Sequence, residues 1–402
     1  MLFLSINEAF QKLHEKRIFL FQRVKLLDGF IGQPFGKGML PDGAEFAGDL
    51  YFCGTGIEGT TGYGTQFDFT RHWQGMLKAD QSGLGIMVPV AAEIKKAVSI
   101  PVGAVTYMDP ARDPEFFESL IASGELDFIL MNRPLSVDYD YLHKLEEGRI
   151  DEIRPCTRCM HCHWDAADDG NLTFSCRTNA AHPFRFVTGQ LTGSYDPEPA
   201  ATAKNVVVVG AGPAGLEAAR VAAERGHSVT LYEKKGSVGG LLEFANNVKG
   251  PHENLSVLRS YFERQMEVLG VNVMLNTEAT ADIIAEASPD IVIAATGGVR
   301  DTLGLSDTAG TKVVGIDDFM MADIAEEVVI VGSNVQAIDA AMYLLAQGKH
   351  VQVVTPNAAS AIGAGHSFWV KTFTQPNMKA LGVRFWPEAT VTAVNDGSVT
   401  VK

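Results

Sequence analysis

The chain has 402 residues, enough for two or three domains with proper cores, and its 46% hydrophobic and 20% charged residues are ordinary for a soluble globular protein. A net charge of −15 argues against nucleic acid or an anionic membrane as partner, since each wants a basic surface. No apolar run approaches the roughly 18 residues of a membrane span, and residues 1–10 lack the positive n-region and apolar length of a signal peptide.

Residues 1–150 alternate short apolar runs with helical stretches. The pattern predicts strands at 18–23, 50–54, 101–105 and 128–131. Cys53 falls in the second strand and reads as an inert core residue. The run VPVAAEIKKAV at 88–98 is an amphipathic helix leading into the third. Residues 113–123 have helical spacing, with Asp113 placed to cap and Pro114 suited to the first helical position. Strand–helix–strand repetition implies a parallel sheet.

Residues 151–204 hold the other four of the five cysteines. Cys156, Cys159, Cys162 and Cys176 are spaced C-x2-C-x2-C-x13-C. Thiolates at this spacing suit the corners of one [4Fe-4S] cluster, and an iron–sulfur cube moves single electrons. His161 and His163 keep a zinc site open as an alternative, because structural zinc accepts mixed Cys and His ligands. Clustered thiols of this kind fit a reducing cytoplasmic compartment, not a disulfide framework. The stretch 188–204 is rich in Gly, Pro and small residues and reads as a linker.

At residue 205 a second α/β unit begins: VVVV, then GAGPAG, then LEAARVAAERGH gives strand, turn and helix, with Gly226 ending the helix. Gly210, Gly212 and Gly215 form G-x-G-x-x-G between strand and helix, the context that gives this motif its meaning. The first glycine permits the tight turn, the second lets a pyrophosphate approach, and the third lets helix and strand pack closely. Glu233 closes the next strand, where a carboxylate accepts bonds from adenosine ribose hydroxyls. Gly239 and Gly240, and the turn of Ala295, Thr296 and Gly297 after a further strand, favour FAD or ADP over NAD in this unit. Residues 326–355 repeat the pattern with G-x-N-x-x-A. Asn334 tolerates an unusual backbone angle there but would crowd a pyrophosphate, and Thr355 replaces the acid, so NAD(P) binding and a retained scaffold both stay open.

Taken together, EIKKAVSIPVGAV, YMDP, DFILMNRPL, LEEGRIDEIRPC, the cysteine run and GAGPAGLEAARVAAERGHSVTLYEK follow one family in order. The chain resembles the iron–sulfur branch of the old yellow enzyme family, which includes trimethylamine dehydrogenase and 2,4-dienoyl-CoA reductase. The resemblance covers nearly all of residues 15–402. It implies an α/β chain made of a partial (β/α)8 barrel, strands five to eight, over 1–150. A [4Fe-4S] segment follows over 151–204, then an FAD- or ADP-binding Rossmann-like unit over 205–300 and an incomplete NAD(P)-type unit over 301–402. It also implies FMN in the barrel, with Arg23 facing the flavin pyrimidine and Arg133 holding the FMN phosphate. A guanidinium suits both tasks.

The C-x2-C-x2-C spacing, the run of Cys176, Arg177, Thr178, Asn179 and Ala180, and the late Pro376, Asn377 and Met378 lean toward the amine-dehydrogenase side. That side oxidises an amine as its small-molecule substrate and passes electrons to an electron-transfer flavoprotein. The alternative is an NAD(P)H-dependent enoate or 2,4-dienoyl-CoA reductase. Several features depart from the family. Thr106 stands where a phosphate-binding arginine is usual, and the place of an active-site aspartate falls near Gly62, with Glu58 the nearest acid. Barrel strands one to four and the returning C-terminal segment are expected to be lacking, and four parallel strands do not close a barrel. A separate polypeptide supplying the missing half-barrel, or a chain without catalysis of its own, is therefore a further expectation. No catalytic residue is assigned.

Overall fold

The computed structural model describes residues 51–53, 84–85, 88–104, 108–159, 161, 176–179, 181, 197–249, 253, 255–298, 300, 303–366, 375–376 and 378–402. The predicted strand at 18–23, Arg23, Glu58, Gly62, Thr106 and Cys162 lie outside them. Described residues up to Asn132 form one compact unit and those from Arg133 onward form another. No described helix is long and apolar enough to cross a membrane.

The first unit runs β1 (Tyr51–Cys53), α1 (Val88–Ala97), β2 (Val102–Ala104), α2 (Pro114–Ala122) and β3 (Phe128–Ile129). The three strands pair in parallel in the order β1-β2-β3, as the alternation predicts. Asp113 caps α2 by accepting from the Phe116 N–H at 3.0 Å, which satisfies one of the helix's open donors. Pro114 takes the first position, where no N–H is needed. Apolar residues at helical spacing, Val88 and Ala91 on α1 and Phe117 and Leu120 on α2, meet Val102 and Ala104 in one core. Asp127 ties the layers together: it accepts from the Val102 N–H at 2.6 Å and pairs with Lys95. The expected strand at 128–131 ends at Ile129. Leu130 still donates to the Ala104 carbonyl, and the chain then bends at Asn132 into a short helix containing Pro134.

The second unit opens with α3 (Arg133–Val137) and α4 (Tyr141–Glu146), followed by the irregular cysteine segment. It continues with β4 (Asn205–Val209), α5 (Pro213–Glu224), β5 (Ser228–Tyr232), α6 (Leu242–Lys249), α7 (Leu255–Val268), β6 (Asn272–Met274), α8 (Ala281–Glu286) and β7 (Ile291–Ala294). These strands pair in parallel in the order β6-β5-β4-β7. Val206, Val208, Leu216, Ala219, Leu231, Leu258 and Phe262 form the core between sheet and helices. The edge strand β7 leaves Ile291 and Val292 exposed.

A repeat of the same plan follows. β8 (Glu327–Val331), α9 (Val335–Ala346), β9 (His350–Val354) and β10 (Arg384–Trp386) give a parallel sheet ordered β10-β9-β8, and β11 (Val391–Asn395) with β12 (Ser398–Val401) adds an antiparallel hairpin. The repetition is close. Gly210 N donates to Tyr232 O at 2.8 Å, and its counterpart Gly332 N donates to Val354 O at 2.9 Å. Glu233 N donates to Met274 O at 2.9 Å, and Thr355 N to Trp386 O at 3.0 Å.

Candidate cofactor site

The turn between β4 and α5 has the shape a diphosphate needs. Gly210 has φ +99°, and a Cβ there would stand 2.5 Å from the Ala295 carbonyl oxygen. Only glycine is at ease with both conditions. At Gly215 a Cβ would lie 1.8 Å from the Gly210 carbonyl oxygen, so the third glycine lets the helix sit against the strand end. Gly212 differs. A Cβ on it would meet nothing within 4 Å, its backbone is extended, and it stands at the N-cap of α5 with no side-chain cap bond. The helix N-terminus thus faces an open space that a side chain would fill, where N–H groups and the helix dipole favour an anion. Gly239 donates to the Ala211 carbonyl at 2.8 Å, which brings Gly240 so close that its Cβ would stand 2.9 Å from Gly212 Cα. Thr296, beside Gly210, and Gly297, with φ +77°, are exposed at the end of β7.

Glu233 is buried just past β5. Its carboxylate accepts from the Ala211 N–H at 2.8 Å and the Lys235 N–H at 2.9 Å. These bonds fix the acid against the glycine turn, one lone pair per oxygen spent, and leave acceptor capacity for ribose hydroxyls. The residues of this turn therefore fit FAD or ADP.

In the repeat the same positions are filled from within. Asn334 has the extended backbone of an ordinary N-cap, not an unusual angle, because its side chain turns back and accepts from the Ala337 N–H at 3.0 Å. The Ala364 carbonyl accepts from the Val335 N–H at 3.2 Å, and Gly363 donates to the Ser333 carbonyl at 2.7 Å. Where the first unit has a carboxylate, the Thr355 hydroxyl meets Ser333 Oγ at 2.9 Å, fully buried. Helix donors offered to a ligand in the first unit are used by the chain itself in the second.

Among the four candidate cluster ligands, Cys156 is buried and Cys159 and Cys176 are partly buried, and none of these three is in a disulfide. Buried Thr157 and Arg158 separate the first two, and Arg158 takes a left-handed φ of +56° that turns the chain tightly. The His161 N–H and the Thr157 hydroxyl donate to the Cys159 sulfur, while Cys176 Sγ lies 3.4 Å from Thr178 Oγ1. Thiols that receive such bonds are the donors an iron–sulfur cluster takes, so the described residues fit one chemically. Among the described residues no three His, Cys, Asp or Glu side chains converge as ligands of a single ion. Burial pushes the Cys159 thiol up, an effect Glu253 increases and Arg177 opposes.

Arg154, two residues before Cys156, fastens this segment to the dinucleotide helix. Its buried guanidinium lies 3.3 Å from Glu217 on α5, donates to the Thr178 carbonyl and sits over the Tyr261 ring at 5.2 Å. Glu217 is shared with Arg220 at 2.9 Å. Both arms of the cysteine loop are thereby held by one side chain. Arg133, the expected phosphate ligand, is a half-buried first residue of α3.

A second cluster of charge was not anticipated. Lys249, at the end of α6, lies 2.6 Å from Asp339 on α9 and 3.2 Å from Glu253; His366 Nε2 lies 3.7 Å from Asp339, and Arg177 donates to the Gly365 carbonyl at 3.2 Å. Lys249, Glu253, Asp339 and His366 are 6%, 3%, 4% and 7% exposed. Burial pushes the Asp339 carboxyl up to about 6, against the pull of Lys249. Burial, with Lys249 and Arg177 nearby, holds His366 well below the usual histidine range and so neutral. The i, i+4 spacing of Lys249 and Glu253 was the one sequence signal; Asp339 sits on an otherwise apolar helix, where an acid is easily read as a surface residue.

The chain is similar to several known oxidoreductases. Residues 204–402 match the pyridine nucleotide-disulphide oxidoreductase family. The chain is 36% identical to an NADH oxidase of Thermoanaerobacter brockii, over 69% of this chain and 42% of that protein. It is 34% identical to a cinnamate reductase of Clostridium sporogenes, over 67% of this chain and 39% of that protein. A solved complex of 2-naphthoyl-CoA reductase is similar with a TM-score of 0.66 and 30% identity, covering 81% of this chain and 48% of that one. Amine dehydrogenases occur among the relatives as well. The chain spans about two fifths of the length of the curated relatives it matches.

Proposed function

The chain is related to the old yellow enzyme-like oxidoreductases, and from that kinship we propose that it works as a flavin-dependent oxidoreductase. Its Gly210–Gly215 turn holds FAD or ADP, and Cys156, Cys159, Cys162 and Cys176 hold a [4Fe-4S] cluster. The observation that carries the reading is the uncapped N-terminus of α5, which faces open space at Gly212 beside a buried Glu233. Such cofactors, when bound, supply two-electron flavin chemistry and one-electron exchange at the cluster. The chain's own part is placement. N–H groups of α5 cradle the diphosphate, Glu233 receives the ribose, and Arg154 keeps the cysteine segment against the same helix. Arg23 and Arg133 are the residues proposed to hold FMN, and the proposed order along the chain is the FMN-type half-barrel at 1–150, the cluster segment at 151–204 and the two Rossmann-like units at 205–300 and 301–402.

Anaerobic reconstitution followed by iron, sulfide, FMN, FAD and ADP analysis tests this. One cluster and one adenine cofactor per chain are expected. Absence of acid-labile sulfide together with a bound zinc ion would sink the cluster assignment.

For the electron partner, the internally capped second turn supports the trimethylamine dehydrogenase-like reading, in which an amine is oxidised and a partner such as an electron-transfer flavoprotein accepts the electrons. The identity to an NADH oxidase and a cinnamate reductase favours the second reading, an NAD(P)H-dependent reductase of activated C=C bonds. Stopped-flow mixing with NADH or NADPH separates them: no bleaching of flavin or cluster absorbance is expected, and rapid bleaching favours the reductase. A third reading is a subunit role without catalysis of its own, completed by another polypeptide. A cluster and adenine cofactor without FMN would favour that reading.

A further inference from the structure

The two Rossmann-like units are built to one plan but treat one segment differently. Gly239 and Gly363 are counterparts: each donates to the carbonyl one residue past the first glycine of its turn, that of Ala211 at 2.8 Å and that of Ser333 at 2.7 Å. In the first unit the residue after Gly212 is Pro213, which has no N–H to offer a neighbouring carbonyl. In the repeat that position is Val335, and its N–H is taken by the Ala364 carbonyl at 3.2 Å. Gly365 lies against the same residue, since a Cβ on it would stand 2.8 Å from Val335 Cγ2. Residues 363–366 thus cross the head of α9, with a carbonyl oxygen standing where a phosphate oxygen would accept. They are tied down twice. His366 Nε2 lies 3.7 Å from Asp339 on α9, and the exposed Arg177 guanidinium donates to the Gly365 carbonyl at 3.2 Å.

We propose that residues 363–366 are an autoinhibitory strap that keeps a pyridine dinucleotide off the second turn, and that Arg177 of the cysteine segment is its latch. This rests on the NAD(P)-type reading of 301–402 and on neither the cluster nor FAD. Arg177 follows Cys176 directly, so a rearrangement of the cysteine segment that withdrew the guanidinium would unlatch the turn.

The test is hydrogen–deuterium exchange of the full chain with and without NADH, read separately on 210–217, 332–339 and the strap, so that binding at the first turn is not counted. In the parent, NADH is expected to leave 332–339 unprotected. Arg177→Ala removes a charged hydrogen bond and is expected to speed strap exchange about tenfold. Arg177→Lys, which keeps a cationic donor, should stay near the parent. Gly212 and Asn334 share one backbone conformation, φ −74° with ψ 178° and −179°, so Asn334→Gly and Val335→Pro copy the first turn without strain. Combined with Arg177→Ala, they are expected to bring NADH protection to 332–339. Unchanged strap exchange in Arg177→Ala overturns the latch, and this exposed-residue variant decides even if the triple variant misfolds. NADH protection of 332–339 in the parent overturns the strap as a barrier. A folded triple variant with a fast-exchanging strap and no protection there overturns both the autoinhibition and the NAD(P)-type reading.

Discussion

Gly212 and Gly215 look alike in the motif but carry opposite duties, and substitution separates them. Gly212→Ala puts a methyl group into open space, so the fold should lose at most about 1 kcal/mol, the ordinary cost of putting alanine at an N-cap. Adenine cofactor content should nonetheless fall severalfold, measured as nucleotide released per chain on denaturation. Gly215→Ala drives a methyl group against the Gly210 carbonyl and should unfold the unit at a lower temperature even without ligand. His366 supplies a second residue-scale prediction. Its buried ring stays neutral beside Lys249, Arg177 and Asp339, whereas the unfolded chain takes up a proton below about pH 6.5. Stability from this group is therefore complete above that pH and is lost as pH falls. Asp339, whose carboxyl titrates near 6 when folded, changes in the opposite sense between about 4 and 6, so the comparison must be parent against variant. Going from pH 7.5 to 5.5, His366→Gln should gain up to about 1.4 kcal/mol on the parent in urea unfolding. A constant difference between the two proteins contradicts the burial argument. The glycines were legible because each duty needs a residue without a side chain. The charged residues were not, because Lys249, Asp339 and His366 come from stretches that only the fold brings together.

Two helices with nearly identical surroundings show how far element-level reading goes. Periodicity placed both α5 and α9 with their preceding strands, since apolar spacing and glycine stops are local facts. What it could not give was the use of the N-terminal donors. Asn334 was read as a poor phosphate-loop glycine, although Asn before an apolar helix is equally a cap signal, and the cap is what forms. Asn334→Ala should destabilise the second Rossmann-like unit by about 1 kcal/mol, while Asn334→Gly should cost only a few tenths. Neither should confer NADH binding by calorimetry, because the Ala364 carbonyl remains on the Val335 N–H. Micromolar binding by Asn334→Gly would mean the asparagine alone closes the turn.

At the scale of the molecule, Arg154 is the residue most shared between parts. It binds the carbonyl of Thr178, the carboxylate of Glu217 and the face of Tyr261, so the cysteine loop and two helices meet on one guanidinium. Arg154→Ala should lower the melting temperature of the second unit by several degrees. The cost is about 3 kcal/mol, toward the lower end for breaking a buried pair because Arg220 still neutralises Glu217. Calorimetry checks the value, and loss of iron at unchanged melting temperature would show that Arg154 serves the loop alone. The order of sheets and the tandem repeat were readable from the chain. Their attachment to each other was not, since it depends on single long side chains spanning distant segments.

The Lys249 joint has a mechanical corollary. Any hinge motion that parted α6 from α9 would have to hydrate an ammonium and Asp339 in the same event and strip His366 of its neighbour. The tandem folds should therefore travel as a rigid rotor. Amide protons on the facing sides of α6 and α9 would then exchange together, at the slow rate of global opening.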